Sequence, residues 1–331
     1  MPVHIRWFES TVRRFTIAWV AAALAWIACG TFDHSATRAA TADASHTESD
    51  GTIKFERGLA ISGISRAGRS ALRTDAIEAL IVADKWSTPK DATEVMLADG
   101  STKAWQPIQA AEDGSFTGPA LRGGYLHFSI PSDADRVMIL EAAGHSLVYV
   151  NGALRGGDPY SHGYVQLPVM LRKGDNEFLF LVGRGRLAAK LKPATSQLFA
   201  TLADATLPDL IADSANDSWA GILVTNATQD WIHDGSIELR VAAGGKTSTQ
   251  RTPLPALPPL ATRKIPVRLQ LSKEQSVRDQ EAEFTISLSQ NTDKKAETNS
   301  PADSVNFKLR VAGPEQTHKR TFLSKIDGSV Q

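Results

Sequence analysis

Short apolar runs separated by turn residues form the dominant pattern over residues 57–191. The runs are rich in Val, Ile, Leu, Phe and Tyr and end at clusters of Gly, Asn or Asp, which is typical of antiparallel strands joined by tight turns. Asn151 and Gly152 follow the apolar run 147–150, and both residue types adopt the positive φ of a two-residue hairpin turn at low cost. Residues 173–176 form a second turn signal. This pattern predicts a β-sandwich.

A second series of short strands is predicted downstream. About six strands have the spacing of a β-sandwich, and they include 219–226, 237–241, 264–271, 281–288 and 305–311. The expected fold class is therefore all-β: a jelly-roll sandwich followed by an immunoglobulin-like β-sandwich without an inter-sheet disulfide. The run 75–84 is too short for its periodicity to decide between a helix and a strand.

The length and the polar segments set the predicted domain boundaries. A chain of 331 residues is long enough for two domains of ordinary size with additional ends. The segment before the first sandwich is polar, which predicts a linker, and a polar run after residue 289 predicts a long exposed hairpin loop. The predicted divisions are an N-terminal segment at 1–42, a linker at 43–56, the jelly roll at 57–200, the second sandwich at 201–313 and a tail at 314–331.

Composition argues against several classes of function. Basic and acidic residues are equal in number, 36 each, so the chain has no basic excess with which to bind nucleic acid or an anionic membrane. Cys29 is the single cysteine, which rules out an internal disulfide and a cysteine-ligated zinc site. The sequence contains no paired catalytic carboxylates, metal-ligand spacing or phosphate-binding loop. We therefore predict no cofactor, no metal site and no nucleic-acid partner.

The N-terminal segment has the order of a secretory signal. An uncharged run at 15–32 follows three arginines, and small residues with a candidate cleavage site at 40–42 come next. A run of ~18 apolar residues is also long enough for an uncleaved membrane anchor, and a lipid on Cys29 is a further alternative. We predict an exported protein whose mature chain begins near Asp43 and which contacts the membrane only through this segment.

One serine has the setting of a catalytic nucleophile only in part. Ser65 follows Gly63 by two residues, as in the strand-to-helix elbow of α/β-hydrolases, but Ala67 stands where that motif has its second glycine. An α/β-hydrolase also needs alternating strands and helices around the serine, whereas the pattern that follows here is β. We therefore predict no catalytic residue in this chain.

The loop after the predicted Asn-Gly hairpin has the most chemically versatile side chains. Its candidate ligand-binding residues are Arg155, Asp158, Tyr160, His162 and Tyr164. Flexible glycines, a carboxylate and flat rings with polar tips suit a carbohydrate or cell-surface ligand. In the alternative, which the sequence favours, Arg155 pairs with Asp158 and the tyrosines cover the core. Replacing both tyrosines would then cost several kcal/mol of stability.

Two tryptophans and two arginines also have alternative interpretations. Trp86 and Trp105 could form a sugar platform, but we interpret them as core or rim aromatics. Arg184 and Arg186 could anchor a ligand, or they could solvate the end of the last jelly-roll strand, which the sequence favours.

The order of these motifs resembles that of a known domain. In the jelly-roll sugar-binding domain of glycoside hydrolase family 2 and its galactose-binding-like relatives, a Tyr-Val-Asn-Gly turn precedes a glycine-rich loop and a Gly-x-Asn-x-Leu strand. Here the turn is 149–152, the loop is 155–164 and the strand begins at Gly174. The resemblance implies a β-sandwich but does not identify a ligand.

A wider resemblance spans most of the chain after residue 56. The segments 136–142, 148–152, 158–160, 207–211 and 317–331 together resemble the N-terminal half of large secreted bacterial hydrolases. In those proteins a prolyl-oligopeptidase-like or esterase-like α/β-hydrolase domain follows, and its serine, acid and histidine are absent here. The resemblance implies a non-catalytic accessory or spacer that positions or docks such a domain. A carbohydrate- or cell-surface-binding module is the alternative, and an enzyme in its own right is a third hypothesis.

Overall fold

The computed structural model describes residues 45–64, 74–290 and 304–313. The elements of the first part are β1 (Ser45–Thr47), β2 (Ile53–Phe55), β3 (Arg57–Ile61), α1 (Ala76–Val82), β4 (Glu94–Met96), β5 (Thr102–Ala104), β6 (Gln106–Gln109), β7 (Ser115–Thr117), a 3-10 helix (Pro119–Leu121), β8 (Gly124–Ser132), β9 (Arg136–Ala143), β10 (His145–Val150), β11 (Ala153–Gly156), β12 (Gln166–Leu171), β13 (Gly174–Val182) and β14 (Arg186–Pro193). The second part contains β15 (Leu198–Thr206), β16 (Leu210–Ile211), β17 (Asn216–Asn226), β18 (Gly235–Ala243), β19 (Lys246–Pro253), β20 (Ala261–Leu271), β21 (Glu281–Gln290) and β22 (Ser304–Ala312). The all-β class predicted from the sequence is confirmed.

Two antiparallel sheets form the first sandwich. One has the order β1–β2–β14–β9–β12, with β7 also paired to β14, and the other has the order β11–β10–β13–β8–β3–β6. Apolar side chains from alternate positions of both sheets fill the space between them, as the two-residue period of a strand requires. The largest are five phenylalanines, each at most 1% exposed: Phe55, Phe116, Phe128, Phe178 and Phe180.

The segment before β3 belongs to the first sandwich, which corrects the predicted linker at 43–56. β1 pairs with β2, and β2 pairs with β14, so these strands extend one sheet. Ile53 and Phe55 are each 1% exposed and pack in the core between the sheets. Two apolar residues at alternate positions are enough to bury one face of a short strand. The predicted division after residue 200 also shifts, because β15 starts at Leu198 and pairs with β17 of the second sandwich.

Helix α1 and the β4–β5 hairpin contribute to an apolar cluster on the outer face of the β8–β13 sheet. The helix begins after Asp75, whose Oδ1 accepts two backbone amides of the first turn at 3.0 Å each. This N-cap decides in favour of a helix where the sequence left helix and strand open. Trp105 is 1% exposed within the cluster, and the half-buried Trp86 donates a hydrogen bond to Glu177. Trp105 is thus a core residue and Trp86 a rim residue, as predicted.

The two turn signals of the sequence meet in space. Asn151 has a φ of 49° and Gly152 a φ of 81°, which are the left-handed values that an Asn-Gly hairpin turn requires. Asn151 Nδ2 donates to Asn176 Oδ1 at 2.8 Å, and the Glu177 amide donates to Asn151 Oδ1 at 2.8 Å. Asn176 is 0% exposed, and its Nδ2 donates to the Arg172 carbonyl at 2.8 Å. The predicted hairpin is confirmed, and asparagine side chains lock it to the neighbouring turn.

The second sandwich also consists of two sheets. One has the order β15–β17–β20 and the other β16–β22–β21–β18–β19; β16 and β22 run parallel, and the remaining pairs that the structure describes are antiparallel. The alternation in β18 and β20 directs every second side chain into the core. These core residues are at most 3% exposed: Ile237, Leu239, Val241, Ile265, Val267, Leu269 and Leu271. The predicted second β-sandwich is confirmed.

Apolar and polar contacts join the two sandwiches. Phe199, near the start of β15, packs with Ile139 of β9 and with Ala227, and all three are at most 8% exposed. Arg155 of β11 donates from Nη2 to the Leu260 carbonyl of the second sandwich at 2.7 Å. The junction therefore combines a small apolar cluster with a charge-assisted hydrogen bond.

Several sequence predictions concern residues outside the described ranges. These are the export signal or anchor at 1–42, the serine at position 65, the polar loop after residue 290 and the tail at 314–331. In the part of the chain that the structure describes, no helix combines the length and the hydrophobicity needed to cross a membrane.

Candidate functional site

The five predicted ligand-binding residues lie at the end of β11 and in its connection to β12. Asp158 holds this connection from a buried position, at 6% exposure. Its Oδ2 accepts the Gly163 amide at 2.7 Å, and its carbonyl accepts the amide of Gly144, which precedes β10, at 2.9 Å. The loop thus closes on its own carboxylate and is attached to the body of the sandwich. A loop fixed in this way loses little conformational entropy when it binds a ligand.

The close approach of the loop to β10 requires glycine at position 157. A Cβ atom on Gly157 would lie 2.4 Å from the His145 carbonyl oxygen and 2.5 Å from main-chain atoms of Ser146, well inside van der Waals contact. A Cβ atom on the neighbouring Gly156 would meet nothing within 4 Å. Of these two adjacent glycines, only Gly157 is needed to seat the loop.

Three rings of the loop form a stacked row, which we call the ring row: Tyr160, His162 and Tyr164. The ring centroids of Tyr160 and His162 are 5.9 Å apart with an interplanar angle of 29°. Those of His162 and Tyr164 are 5.3 Å apart with an angle of 18°. Tyr160 is 63% exposed and Tyr164 is 47% exposed. Contiguous exposed aromatic surface of this kind marks interaction sites more often than isolated apolar residues do.

The structure corrects the alternative that the sequence favours for this loop. Arg155 donates to the Leu260 carbonyl, which is 105 residues away along the chain, and does not pair with Asp158. The Asp158 carboxylate instead accepts a hydrogen bond from an amide of its own loop. Tyr160 and Tyr164 point to solvent and do not cover the core. The local sequence favours the Arg–Asp pair because Asp158 is the acceptor close to Arg155 along the chain. The carbonyl that Arg155 contacts belongs to a residue of the second sandwich, which the local sequence does not reveal.

One cation adjoins the ring row. The exposed Arg184 places its guanidinium carbon 4.7 Å from the ring centroid of Tyr160, which is within the range of a cation–π contact. Arg184 forms no ion pair with any residue in the described ranges. Arg186, by contrast, pairs with Asp113 at 3.0 Å. The structure therefore separates two arginines that the sequence treats alike, and only Arg184 adjoins the ring row.

A buried histidine lies next to the attachment of the loop. His145 is 0% exposed, and neither of its ring nitrogens has a hydrogen-bond partner among the described residues. Its ring meets Phe180 edge to face with centroids 5.3 Å apart. Burial lowers the pKa of His145 to about 4, although Asp158 and the Gly156 main chain act in the opposite direction. The imidazole is therefore neutral at pH 7.

A second polar group lies on the outer face of the β8–β13 sheet. His127 Nε2 and Glu177 Oε1 are 2.9 Å apart, and Trp86 Nε1 donates to Glu177 Oε2 at 3.1 Å. Burial raises the pKa of Glu177, but the hydrogen bonds from His127 and Trp86 outweigh it and leave this pKa below its usual value. The sequence does not reveal this group, because only the pairing of β8 with β13 brings Glu177 to His127. Both oxygens of the Glu177 carboxylate have hydrogen-bond partners, so this polar group helps to hold Trp86 and the apolar cluster against the outer face of the sheet.

The described ranges contain no set of three or more His, Cys, Asp or Glu side chains arranged to hold a metal ion.

Comparison with known proteins yields structural similarities only. No protein-family model matches the sequence, and no curated protein matches it. The structure is similar to the exo-chitosanase CsxA of Amycolatopsis orientalis, with 13% sequence identity and a TM-score of 0.34 over 78% of this chain. It is also similar to a β-glucuronidase of Bacteroides uniformis, with 13% identity and a TM-score of 0.32 over 57% of this chain. A β-glucuronidase from glycoside hydrolase family 2 matches 77% of this chain with 11% identity and a TM-score of 0.31.

The matched regions make up 34%, 26% and 30% of those three chains, respectively. This chain therefore spans about a third or less of the length of the proteins to which it is similar.

Proposed function

We propose that this chain is a non-catalytic carbohydrate-binding module and that the ring row is its ligand-binding surface. The observation that carries the proposal is the exposure of Tyr160 and Tyr164 on a loop that Asp158 holds in place. Leaving large rings in water gains nothing for folding, since their burial is what stabilises a core. A rigid aromatic surface next to a cation suits a ligand that combines apolar faces with polar edges, as a saccharide ring does.

The chemistry of binding follows from the groups in this surface. Tyrosine offers a flat face and a hydroxyl that can donate and accept hydrogen bonds. His162 adds ring nitrogens, and the Arg184 guanidinium adds several donors without a competing carboxylate. The ring faces already contact one another, so a ligand would contact the ring edges, the polar tips and the outer face of Tyr164.

Replacing Tyr160 and Tyr164 together with alanine is expected to abolish binding without unfolding the protein. The assay is affinity electrophoresis in gels that contain hydroxyethyl cellulose, xyloglucan, galactomannan, glycol chitosan or polygalacturonate. At least one of these polysaccharides should retard the wild-type chain and fail to retard the double variant. The free energy of unfolding should change by less than about 1 kcal/mol, because exposed side chains contribute little to stability. Retained binding would contradict the proposal, and a loss of several kcal/mol would restore the core-covering interpretation.

The adjacent glycines provide a matched control for the same assay. Gly157→Ala introduces a Cβ atom that clashes with the main chain of β10, so it should displace the loop and weaken retardation by roughly tenfold or more while both tyrosines remain. Gly156→Ala introduces the same atom into open space and should bind like the wild type. Equal binding by the two variants would show that the position of the loop does not matter for binding.

A second candidate function is that of an accessory region that positions the catalytic domain of a secreted α/β-hydrolase. The contacts of Arg155 and Phe199 across the junction favour it, because two sandwiches in a fixed arrangement form a rigid spacer. An open reading frame that continues past codon 331 and encodes a Gly-x-Ser-x-Gly motif would support this function. Turnover of a chromogenic ester or prolyl peptide by the purified chain itself would contradict both proposals. Export through the N-terminal segment is part of either proposal.

A further inference from the structure

A second exposed aromatic pair lies in the loop between β17 and β18. The rings of Trp231 and His233 are stacked with centroids 5.8 Å apart and an interplanar angle of 14°. Trp231 is 54% exposed, and His233 is exposed as well. Like the ring row, this pair combines a large apolar face with a polar heterocycle.

The structure of the loop holds the pair in this exposed position. Ile232, between the two aromatic residues, is 3% exposed and exchanges two backbone hydrogen bonds with Leu257, at 3.0 and 2.9 Å. Asn226 is 0% exposed, and its Nδ2 donates to the carbonyls of Asp230 at 2.8 Å and Pro258 at 2.9 Å. Trp231 is therefore exposed on a fixed backbone and not on a frayed one.

The same network reaches the candidate site of the first sandwich. The Leu260 amide donates to the Thr228 carbonyl of the Trp231 loop at 3.0 Å. The Leu260 carbonyl accepts the Arg155 guanidinium at 2.7 Å, and Arg155 lies at the base of the ring-row loop. Leu260 thus hydrogen-bonds to the Trp231 loop within the second sandwich and, across the junction, to Arg155 at the base of the ring-row loop.

Two carboxylates flank the aromatic pair. Asp230 precedes Trp231, Asp234 follows His233, and both are exposed. In the part of the chain that the structure describes, neither carboxylate accepts a hydrogen bond or belongs to an ion pair. Ionised carboxylates accept hydrogen bonds from hydroxyl groups, so this surface offers both an apolar face and acceptors to a ligand that is rich in hydroxyls.

We propose that Trp231 and His233 form a second saccharide-binding subsite, with Asp230 and Asp234 as hydroxyl acceptors. The proposal rests on the proposed function, because it assigns the second subsite to the same class of ligand as the ring row. A neutral polysaccharide that occupies both loops binds the second one intramolecularly, at an effective concentration set by the sugars between them. A short oligosaccharide occupies one loop at a time and gains no such advantage.

Trp231→Ala tests the second subsite, with Trp219→Ala as the matched control. Trp219 lies in the same sandwich on β17, is 61% exposed and has no stacked ring among the described residues. Retardation is measured in the same polysaccharide gels, and competition by cellotetraose, xyloglucan heptasaccharide and mannotriose provides the short-ligand comparison. Trp231→Ala should weaken retardation by a neutral polysaccharide roughly tenfold and leave the inhibition constant of the matching oligosaccharide unchanged within about twofold. Trp219→Ala should match the wild type in both measurements.

The outcomes separate this inference from the proposed function. Binding that the tyrosine double variant abolishes and Trp231→Ala leaves unchanged would overturn the second subsite alone. An equal loss of binding in Trp231→Ala and Trp219→Ala would also overturn the second subsite. Such a result would show that any exposed tryptophan contributes to binding and that the Trp231 loop has no special role. Wild-type chain that no polysaccharide in the panel retards would overturn both proposals.

Discussion

Asn176→Ala is expected to lower the free energy of unfolding of the first sandwich by about 3 to 5 kcal/mol. The substitution removes several buried hydrogen bonds at once, because the Asn176 side chain is a partner in each of them. Its Oδ1 accepts the Arg172 amide and the Asn151 side-chain amide, each at 2.8 Å. Its Nδ2 donates to the carbonyls of Arg172 at 2.8 Å and Gly174 at 3.1 Å. Alanine leaves these groups without Asn176 in a site that is 0% exposed.

Urea unfolding monitored by circular dichroism measures this loss. Asp175→Ala is the matched control, since Asp175 is the preceding residue of the same strand and is exposed. The control should unfold within about 0.5 kcal/mol of the wild type. A loss below about 1 kcal/mol in Asn176→Ala would mean that the two turns hold their conformation without the asparagine lock.

Acidification is expected to destabilise the protein through His145. The pKa of this histidine is about 4 in the folded protein and 6.5 as its ordinary value, so between these two pH values the unfolded chain binds more protons than the folded one. The contribution of neutral His145 to the free energy of unfolding is therefore fully present above pH 6.5 and is lost as the pH drops toward 4. The loss attributable to this one side chain is about 3 kcal/mol. The negative charge of Asp158 acts against burial, because it raises the pKa of His145.

Comparison of the wild type with His145→Phe isolates this contribution, because protonation of carboxylates affects both proteins alike. A phenylalanine keeps the edge-to-face contact with Phe180 and removes the titrating group. As the pH falls from 7 to 4, the free energy of unfolding of the wild type should decrease by about 3 kcal/mol relative to that of the variant. Parallel curves for wild type and His145→Phe would contradict the assignment.

The sequence predicts what is local and misses what depends on distant partners. The hairpin at Asn151 and Gly152 follows from the φ preferences of two adjacent residues, and it is present. Its lock to Asn176 spans 25 residues and has no local signature. The strand that contains Ile53 and Phe55 is too short for its alternation to stand out from polar neighbours, so the sequence predicts a linker there.

The candidate site shows the same division. Residue types and spacing pointed to the loop from Arg155 to Tyr164, but exposure of its rings depends on how Asp158 and Gly157 seat the loop. The sequence analysis does not identify the Trp231–His233 pair, although the order Asp-Trp-Ile-His-Asp, with an apolar residue between two rings, is a signal for it.

Nitration by tetranitromethane, mapped by mass spectrometry, tests the central claim most directly, because the chain has 4 tyrosines and they fall into two classes. Tyr125 is 0% and Tyr149 9% exposed, whereas Tyr160 and Tyr164 are the two exposed members. Without ligand, the reagent should modify Tyr160 and Tyr164 and spare the other two. In the presence of a saturating amount of whichever panel polysaccharide retards the chain most strongly, both should be protected. Unchanged nitration of Tyr160 and Tyr164 under saturation would contradict the claim that the ring row binds the ligand.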